Sequence, residues 1–463
     1  MDALLHLVQT INSYLSDYVL TILLVGTGIF FTIRTKMVQL CLVKKESLRT
    51  AFGGLSLHGE KRKSGLSSFQ ALCAAIAAQV GTGNIVGASG AILTGGPGAI
   101  FWMWIVAFLG MSTIYAEAIL AQETRIHDEH GEIQGGPVYY IKRAFPGLFG
   151  SFLAHFFAVA IIISLGFIGC MVQANSISET CVNAFHVPEL AIGVAVALFS
   201  LLIFCGGIWR IARVTEKMVP LMALLYIVGG LVILVMRYKY LPDTFACIFR
   251  YAWNPEALIG GGFGYALKTA ISQGVKRGLF SNEAGMGSTP HAHAQAMVEK
   301  PHDQGIMAMY GVFVDTFVVL TMTALIVISC FYVGDGVLAN ATGDTYSQLL
   351  ASAGLSKTTL VQTAFANLTT QNIGNIFVAV CLFFFAFSTI LGWNFFGKIN
   401  FQWLFGKKSI PLYYILCTGF IFLGSVVKND LAWELQDMFN QLMVVPNVLA
   451  LLALSAIVAK AKR

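Results

Sequence analysis

The sequence predicts an all-α protein that crosses a membrane many times, and three observations support this fold class. Of its 463 residues, 57% are hydrophobic and only 11% are charged. Eleven apolar runs are long enough to span a bilayer, which takes about 20 helical residues. Two of these runs are interrupted by glycine. So few charges exclude a soluble globular domain, and the net charge of +6 concerns membrane topology, not nucleic acid.

The predicted spans follow one another along the whole chain as a single transmembrane domain, 1–463. They cover residues 15–33, 66–92, 96–121, 149–175, 188–206, 214–236, 256–290, 304–333, 370–397, 409–427 and 437–459. We expect 15–33 to be an extra N-terminal helix. The other ten spans then divide into two five-helix halves, 66–236 and 256–459.

The second span contains the sequence AAIAAQVGTGNIVGASG at 74–90, with Gly81, Gly83 and Gly87 near its middle. A glycine costs about 1 kcal/mol relative to alanine inside a helix, so a continuous helix is unfavourable here. A break at membrane depth leaves unpaired N–H groups at one half-helix end and unpaired C=O groups at the other. That arrangement suits a small anion beside a small cation. The alternative, a close helix–helix contact through small residues, stays open on this stretch alone.

The seventh span repeats this glycine pattern. It opens with IGGGFGY at 259–265, and four more glycines follow: Gly274, Gly278, Gly285 and Gly287. The two interrupted spans start five spans apart and therefore cross the membrane in opposite directions, which indicates an inverted-repeat transporter with a midplane site. Charges inside this span need a partner or a cavity. We expect Glu283 to pair with Lys276 or Arg277.

Orientation follows from the basic residues. With the N-terminus outside and the C-terminus cytoplasmic, 21 of the 29 lysines and arginines fall in cytoplasmic segments and 5 in external ones. The N-terminus lacks the pattern of a signal peptide. Residues 135–145 read as a short cytoplasmic interfacial helix. Residues 344–367 read as an external helical hairpin, with a solvated loop as the alternative.

Other polar residues give weaker signals. The nine cysteines stand singly in mostly apolar runs and read as small buried residues. The HAH sequence at 291–293 does not place two histidines on one helix face, so we expect no metal site. Glu117 and Asp315 lie inside spans. Structural pairing is expected for both, with proton coupling as the alternative.

Four separated motifs resemble the alanine or glycine:cation symporter family of bacteria and archaea. They are QVGTGNIVG at 79–87, TGGPGAIFWMWIVAFLGM at 94–111, QGVKRGLFSNEAGMGS at 273–288 and FAFSTILGWNFFG at 385–397. The resemblance covers essentially the whole chain and implies a LeuT-type five-plus-five inverted repeat preceded by one extra helix. That agrees with the span count.

The resemblance also implies a function: import of alanine or glycine, coupled to sodium, across a prokaryotic cytoplasmic membrane. Another small neutral amino acid, or proton coupling, is the alternative. Sodium would be the coupling ion and no cofactor is expected. Neither enzymatic activity, nor nucleic-acid binding, nor an obligate protein partner is expected, and we find no nucleophile–base pair in the spans.

The resemblance places the substrate at the break in the second span. Backbone N–H groups of Thr82, Gly83 and Asn84 would bind the carboxylate, as the N-terminus of a half-helix favours. The Gln79 side-chain carbonyl would accept from the ammonium group, unless Gln79 bonds a neighbouring backbone group. The remaining expected substrate residues are Phe167, Thr389 and Trp393, together with Gln273, Gly274 and Val275 at a break in the seventh span.

Sodium would bind the same break. Hard cations prefer oxygen ligands, and the resemblance implies the hydroxyls of Ser388 and Thr389 with the carbonyls of Ala77 and Val80. Phe385 belongs to the same set, and Asn84 is expected to ligate a second sodium. The alternative for the two hydroxyls is a bond to the preceding helical turn.

Trp393 follows Thr389 by four residues and so lies on the same helix face. Its ring would cap the pocket and limit the substrate side chain. The alternative for Trp393 is an aromatic anchor at the membrane interface.

Overall fold

Long helices make up nearly all of this computed structural model, which describes residues 2–43, 65–128, 131–260, 262–343, 345–427 and 430–462. The helices are α1 (Ala3–Arg34), α2 (Ser68–Gln79), α3 (Gly83–Gly95), α4 (Ala99–Thr124), α5 (Pro137–Ala144), α6 (Leu148–Phe185), α7 (Glu189–Phe204), α8 (Gly207–Met236), α9 (Leu241–Trp253), α10 (Phe263–Asn282), α11 (Pro301–Phe331), α12 (Tyr346–Ser352), α13 (Leu360–Leu368), α14 (Gln371–Phe405), α15 (Lys407–Val426), α16 (Asp430–Ala453) and α17 (Ser455–Ala461). Shorter helical segments lie at Val38–Val43, Tyr238–Tyr240, Glu256–Ile259 and Pro290–His293. An antiparallel ribbon, β1 (Ile126–His127) and β2 (Ile133–Gln134), connects α4 to α5.

Seven helices in the described ranges are long and apolar enough to cross a membrane, or nine if two bent pairs are counted. The bent pairs are α2 with α3, at 46°, and α16 with α17, at 63°. Helices also lie at the two other predicted positions, but α7 has only 16 residues and α10 carries three basic residues. The count of eleven spans therefore stays a prediction.

The minor helices agree in part with the sequence. A helix occurs at 135–145 as α5, and two helices, α12 and α13, occur within 344–367 as predicted. Asp344 lies outside the described residues, as do Lys428, Arg463 and the basic residues at 44–63 on which the orientation partly rests. Helix α9 was not predicted from the sequence.

The outer helices expose large apolar side chains. Phe199 of α7 is 59% exposed, Val235 of α8 69% and Ile415 of α15 67%. Exposed apolar area of this extent marks a surface that another apolar phase covers. A lipid bilayer is the phase that fits helices of this length.

The second predicted span is broken where the sequence indicates. Ser67 and Gln70 form a capping box at the start of α2. The helix ends at Gln79 because Val80 leaves the helical conformation, with ψ of 88°. The chain resumes in a π-helical turn, Gly83–Gly87, before continuing as α3. Such turns are frequent at functional sites.

Close approach, not backbone conformation, requires glycine at this break. Neither Gly81 nor Gly83 has a positive φ. A Cβ on Gly81 would overlap the hydroxyl of Thr389 in α14, and a Cβ on Gly83 would lie 3.0 Å from Phe280 Cδ1 in α10. The break therefore lies where α2, α10 and α14 meet. Both alternatives hold for this stretch, since it is an interruption of the helix and also a close helix–helix contact.

The predicted break at residues 273–275 in the seventh span is wrong, because α10 is continuous from Phe263 to Asn282. Gly274 packs against α4 instead. A Cβ there would lie 2.5 Å from Trp102 Cβ and 2.9 Å from the carbonyl oxygen of Ala99. Its glycine thus permits helix–helix contact, as small residues do in membranes.

The chain leaves α10 later, at Glu283. This residue has φ of 58°, and Gly285 and Gly287 follow with φ of 91° and 83°. Glycine adopts this left-handed region without the steric cost that other residues incur. The interruption after α10 is therefore a turn at its C-terminal end.

Gly274→Ala should lower the stability of the purified protein, because the added methyl meets the α4 backbone. Overpacking of this kind costs about 1–3 kcal/mol. Gly264→Ala in the same helix has nothing within 4 Å of its new Cβ and should be neutral or stabilising. Thermal unfolding in detergent compares the two, and equal melting temperatures would contradict the packing assignment.

Candidate functional site

Oxygen atoms from two helices converge at the break. Thr389 Oγ1 lies 3.0 Å from the carbonyl oxygen of Ala77, 3.5 Å from that of Val80 and 3.1 Å from that of Phe385. Ser388 Oγ lies 3.2 Å from the Ala77 oxygen and 2.8 Å from the Phe385 oxygen. The bonds to the preceding turn are therefore present together with bonds to the break. Clustered neutral oxygens suit a hard cation.

Asn84 connects the break to a buried carboxylate. Its Oδ1 accepts from the Gly81 N–H at 3.1 Å, and its Nδ2 donates to Asp315 Oδ1 at 2.7 Å. Ser281 donates to both carboxylate oxygens of Asp315, at 3.0 and 2.9 Å, and Thr316 donates to one at 2.8 Å.

Asp315 is fully buried, and its hydrogen-bond partners within the described ranges are all neutral. A buried carboxylate held this way has a strong preference for a nearby cation. Structural pairing was expected for Asp315, with proton coupling as the alternative. An acid inside an apolar span was the one signal available, and it did not indicate contact with Asn84.

Gln79 is the last residue of α2 and is 2% exposed. Its Nε2 donates to the carbonyl oxygen of Asn282 at 2.7 Å, which is the backbone bond considered as an alternative. Its Oε1 has no hydrogen-bond partner among the described residues. The backbone bond thus fixes the amide and leaves the carbonyl oxygen available.

Gln173 reaches the break from α6, and no motif or spacing in the sequence indicated this contact. The Thr82 N–H donates to Gln173 Oε1 at 3.2 Å. Both residues are completely buried. The hydroxyl of Thr82 and the Nε2 of Gln173 lack hydrogen-bond partners in the part of the chain that the structure describes.

Trp393 lies beside the break and is 1% exposed, so it is not an interface anchor. Its indole N–H donates to Glu283 Oε1 at 2.5 Å, and Ser288 donates to the other oxygen of Glu283. The predicted pairing of Glu283 with Lys276 or Arg277 is therefore wrong.

Both cations pair with Asp437 of α16 instead. The Nζ of Lys276 lies 2.8 Å and the Nη2 of Arg277 3.1 Å from Asp437 Oδ2. Glu434 is farther from Lys276, at 3.9 Å. Asp437 is 3% exposed, so one buried anion holds two cations and joins α10 to α16.

An aromatic layer separates these charges from the break. The Arg277 guanidinium lies 5.8 Å from the ring centre of Phe280. Phe280 packs edge-on against Trp393 at 6.1 Å and beside Trp433 at 5.8 Å. Because Phe280 also approaches Gly83, a single ring contacts both the charged cluster and the break.

Four predicted substrate residues make their contacts elsewhere. Phe167 stacks on Phe420 of α15 with ring centres 5.1 Å apart. Gln273 packs against the end of α3. A Cβ added to Gly95 would lie 3.1 Å from the Cβ of Gln273. Gly274 contacts α4, as described above, and Val275 is buried in the same unbroken helix.

The side chain of Glu117 is held by hydrogen bonds from the turn after α10 and from α16. It accepts from the N–H groups of Gly285 and Gly287, at 3.2 and 2.9 Å, and from Asn447 Nδ2 at 2.6 Å. The expected structural pairing is confirmed for this residue. It fixes the turn that follows α10.

Comparisons with known proteins match the whole chain. The profile of the Sodium:alanine symporter family matches residues 1–463. The sodium/alanine symporter AgcS of Methanococcus maripaludis is 41% identical over 458 residues, which is 98% of this chain and 95% of that protein. The probable sodium/glutamine symporter GlnT of Bacillus subtilis is 37% identical, over 98% of this chain and 89% of that protein.

A solved structure supports the fold. The crystal structure of MhsT in complex with L-phenylalanine matches 87% of this chain and 98% of its own, with a TM-score of 0.60 and 15% identity. At that identity the likeness concerns the fold alone. It confirms the predicted LeuT-type helical architecture.

Asp437→Asn should strongly destabilise the protein, because it leaves Lys276 and Arg277 without their shared anion. Removing one partner of a buried ion pair costs about 3–5 kcal/mol. Glu434→Gln removes a more distant charge and should cost much less. Thermal unfolding of both variants at matched detergent and salt tests this, and an unchanged melting temperature for Asp437→Asn would refute it.

Proposed function

Since the chain belongs to the sodium:alanine symporter family and is a multi-pass, sodium-coupled amino-acid symporter, we propose that it imports alanine or glycine through the break between α2 and α3. One observation carries the proposal. The break brings clustered oxygen atoms for a cation next to buried polar groups that can bind a zwitterion.

The amino acid would bind by its two charged ends. The N-terminal end of α3 offers the Gly83 N–H and a favourable dipole for the carboxylate, whereas the Thr82 N–H donates to Gln173 Oε1 and the Asn84 N–H to the carbonyl oxygen of Gly81. The unpartnered Oε1 of Gln79 would accept from the ammonium group. Trp393 would close the pocket and leave room for only a small side chain.

A first sodium would bind the oxygens of Ala77, Val80, Phe385, Ser388 and Thr389. The hydroxyl–carbonyl distances of 2.8–3.5 Å support this set. Rotation of the hydroxyl hydrogens away from the carbonyls would free lone pairs on these oxygens for an ion. Neutral oxygens alone would hold this first sodium.

A second sodium would bind beside Asn84, and the carboxylate of Asp315 supports this assignment. Asn84 Oδ1, Ser281 Oγ and the Asp315 carboxylate supply oxygens of the kind that sodium prefers. The ion would offset a buried negative charge whose described partners are neutral.

Coupling would follow because both ligands use the same backbone. The carbonyls of Ala77 and Val80 serve the first sodium, and the next residues provide the carboxylate site. An ion that fixes this segment lowers the cost of ordering it for the amino acid. Each ligand then raises the affinity for the other by the same factor.

The arrangement of the whole chain is part of the proposal. We place the protein in a prokaryotic cytoplasmic membrane, with the N-terminus outside and the C-terminus in the cytoplasm. The excess of cytoplasmic lysine and arginine supports this orientation. Two five-helix repeats, 66–236 and 256–459, would follow an extra first helix.

Uptake by reconstituted protein tests the function. Proteoliposomes should accumulate radiolabelled alanine under an inward sodium gradient, and glycine should compete. Accumulation driven only by a proton gradient would contradict sodium coupling. Stronger competition by glutamine than by glycine would favour the substrate named for GlnT, and sodium conductance without amino acid would indicate a channel.

Thr389→Ala should lower the apparent sodium affinity by at least about tenfold, because one contact to a charged group contributes about 1.5–3 kcal/mol. Thr389→Ser keeps the hydroxyl and serves as the matched control. Alanine uptake measured against sodium concentration gives both affinities. Equal sodium dependence in the two variants would remove Thr389 from the site.

Asp315→Asn should make the sodium dependence of uptake less steep, because it removes the charge proposed to hold the second ion. Asn84→Ala should act in the same direction. Glu123→Gln, at an exposed position of α4, controls for the loss of a carboxylate. A wild-type slope in Asp315→Asn would exclude its role in ion binding.

A further inference from the structure

A cavity of about 400 Å³ lies beside the C-terminal part of α14, away from the break. Its wall on this side is one face of α14, whose lining residues are spaced three or four positions apart: Phe395, Lys398, Ile399 and Gln402. Lys398 follows Thr389 by nine residues, which is about 14 Å along a helix. The cavity is therefore a second space on the helix that carries Thr389.

The other walls of the cavity come from segments that the charge pattern places on the cytoplasmic side. They are residues 65–66 before α2, the ribbon residues 131–134, the loop 205–207, the start of α8 and Gln295. In the proposed orientation the cavity thus lies where solutes of the cytoplasm can reach it.

Lys398 places a positive charge in the cavity wall and is partly buried. It forms no ion pair within 4 Å among the described residues. The carboxylate that acts on it electrostatically is Glu132, but Glu132 lies 3.0 Å from Lys407 and its side chain is 63% exposed. Withdrawing an ammonium group from water is costly unless an anion pairs with it. An anion in the cavity would supply that partner.

The start of α8 adds a second positive feature to the same cavity. Its first residues, Gly207, Ile208 and Trp209, all line the cavity. No side chain caps their N–H groups, because the N-cap residue is Gly206. The N-terminal end of a helix favours an anion. A Cβ on Gly207 would meet nothing within 4 Å, so open space lies beside these donors.

The charges favour a ligand with one negative charge over one with two. Lys398 supplies one positive charge and the end of α8 about half of one, whereas Glu132 lines the same cavity and would repel a dianion. The side-chain amides of Gln134 and Gln402 are also part of the lining. Amide N–H groups donate to carboxylate oxygens, and a lysine ammonium pairs with a carboxylate as a point charge. A small carboxylate fits this set of groups.

We propose that the cavity is a second ligand site, for small carboxylates of the cytoplasm, in which Lys398 pairs with the carboxylate and the N–H groups at the start of α8 donate to it. The carboxylate belongs to an amino acid or to a simple organic acid, since both present the same group to Lys398. This site shares no residue with the break, so it does not depend on which solute the protein carries.

Cys205 provides a chemical probe within the cavity. It lines the cavity and is exposed, whereas Cys330 is intermediate and the other seven cysteines are buried. The uncharged reagent N-ethylmaleimide should therefore alkylate Cys205 first in the purified wild-type protein, and peptide mass spectrometry locates the adduct. A carboxylate bound to Lys398 fills the space beside the thiol and lowers the rate of alkylation.

The experiment compares the alkylation rate of Cys205 in potassium acetate and in potassium chloride at equal ionic strength, without sodium. Binding lowers the rate by the factor 1 + [L]/Kd, which is about fivefold at four times the Kd. Protection by alanine added to the chloride buffer identifies amino acids as ligands, and protection by acetate alone identifies simple acids. Alaninamide lacks a carboxylate and should give no protection.

Lys398→Gln should raise the acetate concentration needed for protection by at least about tenfold, because a contact to a charged group is lost. Lys398→Arg keeps the charge and should keep the protection. Lys408→Gln removes an exposed lysine of α15 and is the matched control for net charge. The ratio of the two rates within each variant cancels any change in the reactivity of the thiol itself.

Gln402→Glu covers the case in which Lys398→Gln does not fold. Its new carboxylate lies one helical turn from Lys398 and competes with the added acetate, so protection should again fall. Equal alkylation rates of the wild-type protein in acetate and in chloride, or undiminished protection in Lys398→Gln, would overturn the site. Stronger protection by phosphate than by acetate would overturn the carboxylate class.

Discussion

The contact between Gly81 and Thr389 is the constraint on which the rest of the site depends. No side chain fits between the broken segment and α14 at this position, since a Cβ on Gly81 would overlap the Thr389 hydroxyl. The contact brings that hydroxyl within 3.5 Å of the carbonyls of Ala77 and Val80. Gly392 of α14 allows a similar approach to Ala78. The proposed ion ligands and the helix packing are here the same set of contacts.

Buried charge is distributed in two ways around this contact. Glu117, Glu283 and Asp315 are each held by neutral donors. Asp437 instead holds two cations at the boundary between α10 and α16. Hydrogen bonds from backbone, hydroxyl and indole groups satisfy a carboxylate without cancelling its charge. The three carboxyl groups near the break thus have neutral donors, while the charged cluster on the other side of Phe280 pairs one anion with two cations.

The sequence was sufficient for the helical class, the break after Gln79 and the convergence of Ser388 and Thr389 on Ala77 and Val80. Glycine spacing and separated motifs are local signals, and a chain carries them directly. It was not sufficient for α10, where the glycine at 274 serves contact with α4 and the real turn begins at Glu283. The same glycine pattern can arise from a helix–helix contact or from a break in the helix. Only the position of the neighbouring helix distinguishes the two. Gln173 and Asp315 were missed as site residues because their partners lie 91 and 231 positions away in the chain.

The length of α14 has a mechanical consequence. It runs unbroken for 35 residues, which is about 50 Å at 1.5 Å per residue, well beyond the roughly 30 Å of a hydrocarbon core. Ser388 and Thr389 lie near its middle, on an element that keeps its length and has no internal break. The opposite wall of the site consists of two short helices, α2 and α3, which are bent by 46° relative to each other. The proposed sodium would thus bind between one unbroken wall and one bent wall, so a movement on ion binding would fall on the angle between the two half-helices.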